Sequence, residues 1–188
     1  METKTHILEV ALDLFSARGY DAVGVQEICN NGGVTKPTLY YYFGSKLGVL
    51  DSLLERYARP LLERLKEPST YRGDLTFSLE ESARVFFRYA EHSPSFMRLF
   101  LALRNAPSKS EAAGCAEEYL DEVTNNFLFM FRYAVEDHGN MRGREEAYSL
   151  SFVGTVLIYV RLILDGRIEV TDDLPYRVVH QFSHGIYS

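Results

Sequence analysis

The chain has 188 residues, a formal net charge of −6 and two cysteines. This length allows one domain or two small ones, and the acidic balance excludes a protein that holds nucleic acid through its net charge. A DNA-binding surface would therefore have to be local. Cys29 and Cys115 are far apart and have no metal-ligand spacing, which argues for a reducing compartment without disulfides. We expect no metal and no cofactor.

The sequence predicts no signal peptide and no membrane-spanning segment. Its N-terminus has no signal-peptide character, and the longest apolar run, residues 152–160, is shorter than the roughly 20 residues that span a bilayer. A cytoplasmic protein is therefore expected. The sequence shows no nucleophile–base spacing, phosphate-binding loop or metal cluster, so we expect no catalytic residues.

The first part of the chain predicts two helices of unequal length. Apolar residues at helical spacing indicate a helix over 4–18, with Gly19 as its C-terminal stop. A second helix of about two turns is predicted over 25–31. Its N-cap is poor, because Val23 and Gly24 stand where Ser or Thr is preferred.

The next stretch predicts a very short third helix. Thr35 is a good N-cap, Pro37 suits the first helical turn, and Gly44 is a natural stop, so the helix begins at Thr35 or Lys36. Three consecutive tyrosines, Tyr40–Tyr42, are unusual for a core and suit a contact surface. A helix, a tight turn and a short capped helix form the helix-turn-helix pattern, whose second helix lies in the major groove of DNA.

The remainder reads as helices without a convincing strand. A fourth helix is predicted over 45–66, with a kink at Pro60, and the polar segment 68–74 reads as a linker between a small N-terminal unit and the rest. Further helices are predicted around residues 79–90, 96–103, 111–138, 145–165 and 174–187. The chain is thus predicted to be all-α, with about nine helices.

The N-terminal residues support a resemblance to a known family. Phe15 followed by Arg18-Gly19-Tyr20, then Val25-x-x-Ile28, then Gly33-Val34-Thr35-x-x-Thr38-Leu39-Tyr40-x-Tyr42-Phe43-x-x-Lys46 resembles the TetR family of bacterial transcriptional regulators. The match covers about residues 4–55. It implies an N-terminal three-helix domain over 1–48, with the helix-turn-helix at about 24–43. A helical effector-binding and dimerisation domain over 49–188 would follow.

The resemblance implies a homodimeric repressor that binds a palindromic operator in double-stranded DNA and is released by a small, largely apolar effector. Two alternatives remain: a DNA-binding regulator without a small-molecule effector, and a small all-helical cytosolic enzyme. Carried over position by position, the DNA-contacting residues would be Gln26, Thr35, Lys36, Pro37, Thr38, Tyr40, Tyr41, Tyr42 and Lys46. The family usually has Ser or Thr at positions 23 and 24, so we expect only modest non-specific affinity for DNA.

Two further sets of residues are candidates in the C-terminal part. The helix at 145–165 is apolar nearly all round, which predicts a two-fold dimer built from the last two helices, although it could simply be the central core helix. The predicted interface comprises Val153, Val156, Leu157, Val160, Val178, Val179 and Phe182, with Ile186 in the same stripe. The resemblance also implies an effector pocket, and the aromatic residues on the family's pocket-forming helices are Phe96, Phe100, Phe127, Phe131 and Tyr159; such pockets are mainly apolar.

Two smaller features are expected to be ordinary. His180 and His184 have the spacing of a metal pair on one helix face, but no third ligand stands out, so a polar helix edge is expected. Cys115 has Glu117 and Glu118 nearby, which would raise the pKa of its thiol and argue against a redox sensor.

Overall fold

In the computed structural model, which describes residues 2–185, the regular structure consists of nine α-helices and one short 3-10 helix, and that range contains no strand. The predicted all-α class is therefore confirmed. The helices are α1 (Glu2–Arg18), α2 (Val25–Asn31), α3 (Lys36–Phe43), α4 (Lys46–Lys66), α5 (Leu75–His92), α6 (Pro94–Arg104), α7 (Glu111–Ala134), α8 (Glu145–Leu164) and α9 (Leu174–His184). Ile186, predicted to extend the apolar stripe of the last helix, lies outside the described residues.

The helices form two compact units. Unit 1 comprises the residues up to Pro60 together with Ser95–Tyr119, and unit 2 comprises Leu61–Pro94 together with the residues from Leu120 onward. Both α4 and α7 begin in unit 1 and continue along the chain into unit 2. Residues 68–74 lie within unit 2, so the expectation that they link two units is wrong: the end of α4 and α5 both belong to unit 2. The functional boundary at residue 48 stays a prediction.

Unit 1 contains the three N-terminal helices on a shared apolar core. Helix α1 packs on α2, and α2 packs on α3. Ile7 and Phe15 of α1, Ile28 of α2 and Leu39 of α3 are fully buried. Burial of these side chains fixes the three helices against one another, since apolar surface removed from water is the main stabilising contribution to a small core.

Unit 2 is built around α5, which packs on α8 and α9. Its interior is aromatic: the rings of Phe127 and Phe152 are 5.1 Å apart, and those of Phe152 and Phe182 are 5.2 Å apart. The T-shaped arrangement of both pairs is the one that aromatic quadrupoles favour. Phe86 stacks on Phe127 at 6.5 Å, which ties α5 into the same cluster.

Helix α7 is shorter than predicted. It ends at Ala134 rather than His138, and a 3-10 helix follows at Gly139–Met141. The amides of Glu136 and Asp137 donate to the carbonyls three residues back, Tyr133 and Ala134, at 3.2 Å and 3.1 Å, so the chain tightens at these two residues. Gly139 therefore begins the next turn instead of ending the helix.

Helix α8 alone among the described residues is long and apolar enough to cross a membrane by length and composition. The apolar run on which the sequence-based expectation rested, residues 152–160, covers only part of this helix, so the expectation underestimated its apolar length. Seven side chains of α8 are buried in unit 2, from Ser149 to Leu164. Helix α8 packs on α5 and α9.

Candidate nucleic-acid interface

Helix α3 has the start and the end that its sequence predicts. The Thr35 hydroxyl accepts a hydrogen bond from the Thr38 amide at 3.3 Å, and the two threonine hydroxyls are 2.9 Å apart. Pro37 lies in the first turn, where its missing N–H costs nothing. Gly44 follows with a φ of 72°, a left-handed conformation that glycine adopts readily.

The outward face of α3 carries the residues that were predicted to meet DNA. Leu39 and Phe43 are buried and anchor the helix, whereas the tyrosines between them point outward to different degrees. Tyr41 is 83% exposed, Tyr40 is 45% exposed, and Tyr42 is half-buried with its ring 5.1 Å from that of Tyr41. Thr35, Lys36 and Pro37 are also exposed, while Thr38 is half-buried. The structure therefore brings these candidates together on one short helix.

Helix α2 is held in place without a side-chain cap. Gly24 occupies the N-cap position and makes no capping hydrogen bond, as the sequence predicted. Arg18 compensates at the other end of the loop, because it pairs with Glu27 and donates to the Ala22 carbonyl at 3.1 Å. Gln26 is exposed, and its amide donates to the Asn30 side chain at 2.8 Å.

Lys46 is engaged within the fold. Its ammonium donates to the backbone carbonyls of Tyr20 and Val23, at 3.1 Å each, and lies 3.9 Å from the centre of the Tyr20 ring. An ammonium group has three N–H donors, and these two bonds use two of them. Lys46 thus connects the start of α4 to the loop between α1 and α2. Its third N–H donor is the one that could contact a DNA phosphate, and that contact stays a prediction.

Three residues that position this surface were not predicted from the sequence, namely Tyr20, Gly48 and Glu111. Tyr20 donates its hydroxyl to Glu111 at 2.7 Å, and both residues belong to unit 1. Gly48 allows α4 to approach the end of α3, because a Cβ there would lie 1.9 Å from the Phe43 carbonyl oxygen. The Gly48 contact is local enough that the short Phe43–Gly48 connection could have indicated it. Nothing in the sequence pairs Tyr20 with a residue 91 positions away.

Comparison with known proteins agrees with this geometry. Residues 7–53 match the family model described as bacterial regulatory proteins of the tetR family. Those residues include all of α2 and α3 and most of α1. Over these residues the chain is similar to the TetR family.

Relatives and solved structures of this family extend the comparison. The transcriptional activator FasR of Mycolicibacterium smegmatis is 33% identical over 98 residues, which are 52% of this chain and 45% of FasR. The transcriptional repressor BdcR of Escherichia coli is 35% identical over 89 residues, 45% of this chain and 44% of BdcR. The chain therefore spans less than half the length of either relative.

The fold is shared over nearly the whole chain. The regulator FadR of Bacillus subtilis, solved in complex with stearoyl-CoA, has a TM-score of 0.79 at 19% identity. The match covers 97% of this chain and 99% of FadR. At this identity the similarity shows the TetR fold alone.

Most of the predicted dimer residues lie inside unit 2. Val153, Val156, Leu157, Val160, Val178 and Val179 are all buried inside unit 2, with exposed fractions of 5% or less, and Phe182 is half-buried. Side chains that α5 and the aromatic cluster already cover have little surface to offer a partner. The open face of α8 instead carries Leu150, Gly154 and Ile158, and the exposed fractions of Leu150 and Ile158 are 49% and 55%. The dimer interface stays a prediction, and the open face of α8 adds these residues as candidates for it.

The predicted effector-pocket residues divide between the two units. Phe96 and Phe100 belong to unit 1, where Phe96 stacks on Tyr57 at 5.5 Å. Phe127, Phe131 and Tyr159 belong to unit 2. Four of the five are buried, and Tyr159 is half-buried.

Two of the open cavities at the surface of unit 2 have several aromatic residues in their lining. One, of about 300 Å³, is lined by residues that include Leu79, Phe131, His138, Tyr148 and Phe182. The other, of about 460 Å³, is lined by residues that include Tyr71, Asn126, Phe129, Met130 and Tyr133. Within the described part of the chain, the buried Nδ2 of Asn126 and Oγ of Ser82 have no hydrogen-bond partner. Buried polar groups usually have one, and Asn126 lies in the lining of the second cavity, so its amide nitrogen is a candidate for a ligand contact.

The remaining candidates behave as minor features. The rings of His180 and His184 are 4.4 Å apart on an exposed face of α9, and the described residues contain no group of three or more metal-ligating side chains. Burial, together with the charges of Asp51 and Glu111, raises the pKa of the half-buried Cys115 thiol to about 11. The acidic neighbours that act on this thiol are thus not Glu117 and Glu118, which the sequence had suggested.

Proposed function

We propose that this protein is a cytoplasmic, DNA-binding transcriptional regulator that acts as a homodimer on a palindromic operator. The observation that carries the proposal is the exposed surface of α3. Lys36, Pro37, Tyr40 and Tyr41 are open to solvent on a helix that Leu39 and Phe43 anchor from below. A short rigid helix with hydroxyl donors, flat rings and a lysine suits contacts with base edges and phosphates.

The outer residues of α3 and α2 divide by role in this proposal. Thr35, Lys36, Pro37, Thr38 and Tyr40 would lie along the major groove, and Gln26 would approach from α2. Tyr41 and Tyr42 would contact the phosphate backbone, together with the third ammonium donor of Lys46. The first fifty residues carry four basic side chains against five acidic ones. Binding should therefore depend on few phosphate contacts and show a shallow salt dependence.

The dimer is supported by the open apolar face of α8. A single helix-turn-helix reads only a few base pairs, and two heads in a two-fold dimer read half-sites about one helical turn apart. Leu150, Gly154 and Ile158 form an exposed stripe on the helix that the unit otherwise buries. The same stripe on a second copy is self-complementary, as a two-fold interface requires.

The regulatory ligand in this proposal is a small, largely apolar effector held in unit 2. The two cavities and the unpartnered amide nitrogen of Asn126 in one of them support it, because such sites combine apolar walls with a few polar contacts. FadR of Bacillus subtilis was solved with stearoyl-CoA, so a long-chain acyl-CoA is the first compound to test. Effector binding would release DNA if the protein is a repressor. FasR is an activator and BdcR a repressor, so both directions of control occur among the relatives.

The decisive experiment is selection of DNA from a random double-stranded library by the purified protein. We expect enrichment of a palindrome, and we expect Lys36→Ala and Thr38→Ala to change the preferred bases while Tyr42→Ala weakens binding to every sequence. Failure to enrich any sequence would remove the DNA-binding proposal and favour the enzyme alternative. Thermal-shift measurements with stearoyl-CoA then separate an effector-controlled regulator from one without a small-molecule effector, which would show no shift.

A further inference from the structure

Tyr20 connects three helices through one side chain. Its ring is buried beside Phe15, with ring centres 5.3 Å apart, and the ammonium of Lys46 lies over its face. Its hydroxyl donates to Glu111 at 2.7 Å. The loop after α1, the start of α4 and the first residue of α7 therefore meet at this phenol.

A second contact holds α7 two turns further on. The hydroxyl of Tyr119 donates to Glu55 of α4 at 3.1 Å, and the guanidinium of Arg59 lies 4.8 Å from the Tyr119 ring centre. Arg59 also pairs with Glu118 at 3.4 Å. The Glu111–Tyr119 segment of α7 is thus held at both of its ends by other residues of unit 1. These ends lie about 12 Å apart, at 1.5 Å per residue.

The chemistry of the first contact makes it directional. Burial and the hydrogen bond to Glu111 raise the pKa of the Tyr20 phenol, so the hydroxyl stays protonated and donates. A hydrogen bond from a hydroxyl to a carboxylate is short, and it depends on the orientation of the two groups, whereas apolar packing does not. The contact therefore constrains the angle at which the loop after α1 meets α7, in addition to holding them together.

We propose that Tyr20 and Glu111 are positioning residues for operator binding: their hydrogen bond sets the orientation of the three-helix head (α1–α3) on the start of α7. The inference rests on the proposed DNA-binding function. Binding to one half-site requires only the surface of α3. Binding to both half-sites of a palindrome also requires two heads at a fixed spacing. The Tyr20–Glu111 hydrogen bond should therefore matter for the palindrome and not for the single half-site.

The test uses Tyr20→Phe, which keeps the ring beside Phe15 and under Lys46 but removes the hydroxyl. Two double-stranded oligonucleotides serve as probes: the full palindrome that the wild-type protein selects and a single half-site of it. We expect affinity for the palindrome to fall about five- to tenfold, a usual size for coupling between sites, while half-site affinity changes less than about twofold. Preference for one half-site spacing should also relax.

Further variants separate positioning from general stability. Thr171→Val is the control, because it removes a hydroxyl that donates to the Asp173 carboxylate at 2.6 Å in unit 2, and neither affinity should change. Glu111→Gln retains an acceptor and should restore most of the palindrome affinity, whereas Glu111→Ala should behave like Tyr20→Phe. Combining Glu111→Ala with Tyr20→Phe should cost no more than either alone.

Equal losses on both DNAs, or no loss on the palindrome, would overturn the inference. If the wild-type protein selects no DNA, the proposed function fails. Amide hydrogen exchange in the free protein then tests whether the Tyr20–Glu111 hydrogen bond holds the start of α7. Faster amide exchange over residues 111–119 in Tyr20→Phe supports it, and unchanged exchange rejects it.

Discussion

The ammonium of Lys46 lies 3.9 Å from the centre of the Tyr20 ring and donates to the Tyr20 carbonyl at 3.1 Å. The same nitrogen reaches the Val23 carbonyl, so one side chain closes the loop between α1 and α2 onto α4. A lysine that the sequence assigned to DNA thus also has a structural role. The two roles can be measured separately.

Lys46→Met should lower the free energy of unfolding by about 2 kcal/mol, because it removes two charged hydrogen bonds and a cation–π contact while keeping the apolar stem. Denaturant unfolding followed by circular dichroism measures this loss. The control is Lys36→Met on the exposed face of α3, which should change stability by less than about 0.5 kcal/mol. Equal stability of Lys46→Met and the wild type would show that the engaged ammonium contributes nothing to folding.

Gly48→Ala should destabilise the protein by about 1–3 kcal/mol, because the new methyl group would overlap the Phe43 carbonyl oxygen unless the α3–α4 connection shifts. The matched control is Gly114→Ala in α7, where a Cβ meets nothing within 4 Å. That change should stabilise by about 0.5–1 kcal/mol through helix propensity. Thermal melts of both variants make the comparison, and two stabilised variants would contradict the close approach of α4 to Phe43.

If the proposed dimer forms through α8, glutamates at both Leu150 and Ile158 should convert it to a monomer, since charges placed in a self-complementary apolar stripe would face their own copies across the two-fold axis. Sedimentation velocity at micromolar concentration measures the change. The control places glutamates at Phe129 and Tyr133, which are exposed on α7, and should leave the oligomeric state unchanged. A dimer that survives the α8 changes would move the interface elsewhere.

Cys115 should react slowly with iodoacetamide. Its pKa is raised from the ordinary value of 9.0 to about 11, so below pH 9 the thiolate fraction is about 100-fold smaller than for a free thiol. The alkylation rate should keep rising as the pH increases from 9 to 11, because the folded protein holds the proton more tightly. Mass spectrometry of Cys115→Ser, in which only the buried Cys29 remains, shows the background. Alkylation at pH 8 as fast as that of free cysteine would refute the raised pKa.

Much of the DNA-binding part could be predicted because its signals are local. The Thr35 cap, Pro37 in the first turn and Gly44 after Phe43 each act on backbone groups within one turn, and α3 begins and ends where they indicate. The missing cap at Gly24 was equally readable. Helix periodicity likewise determined the all-α class, since each apolar stripe repeats within its own helix.

What the sequence by itself determined is therefore the set of helices, the helix-turn-helix and the TetR resemblance, all of which depend on neighbours a few residues apart. Tertiary structure alone decided which face of α8 is covered, how Lys46 is engaged and which residue Tyr20 bonds. Helix α8 is apolar on both sides, so its pattern cannot say which side α5 and α9 bury. The Tyr20–Glu111 hydrogen bond joins residues 91 positions apart, and only the packing of α7 within unit 1 brings them together.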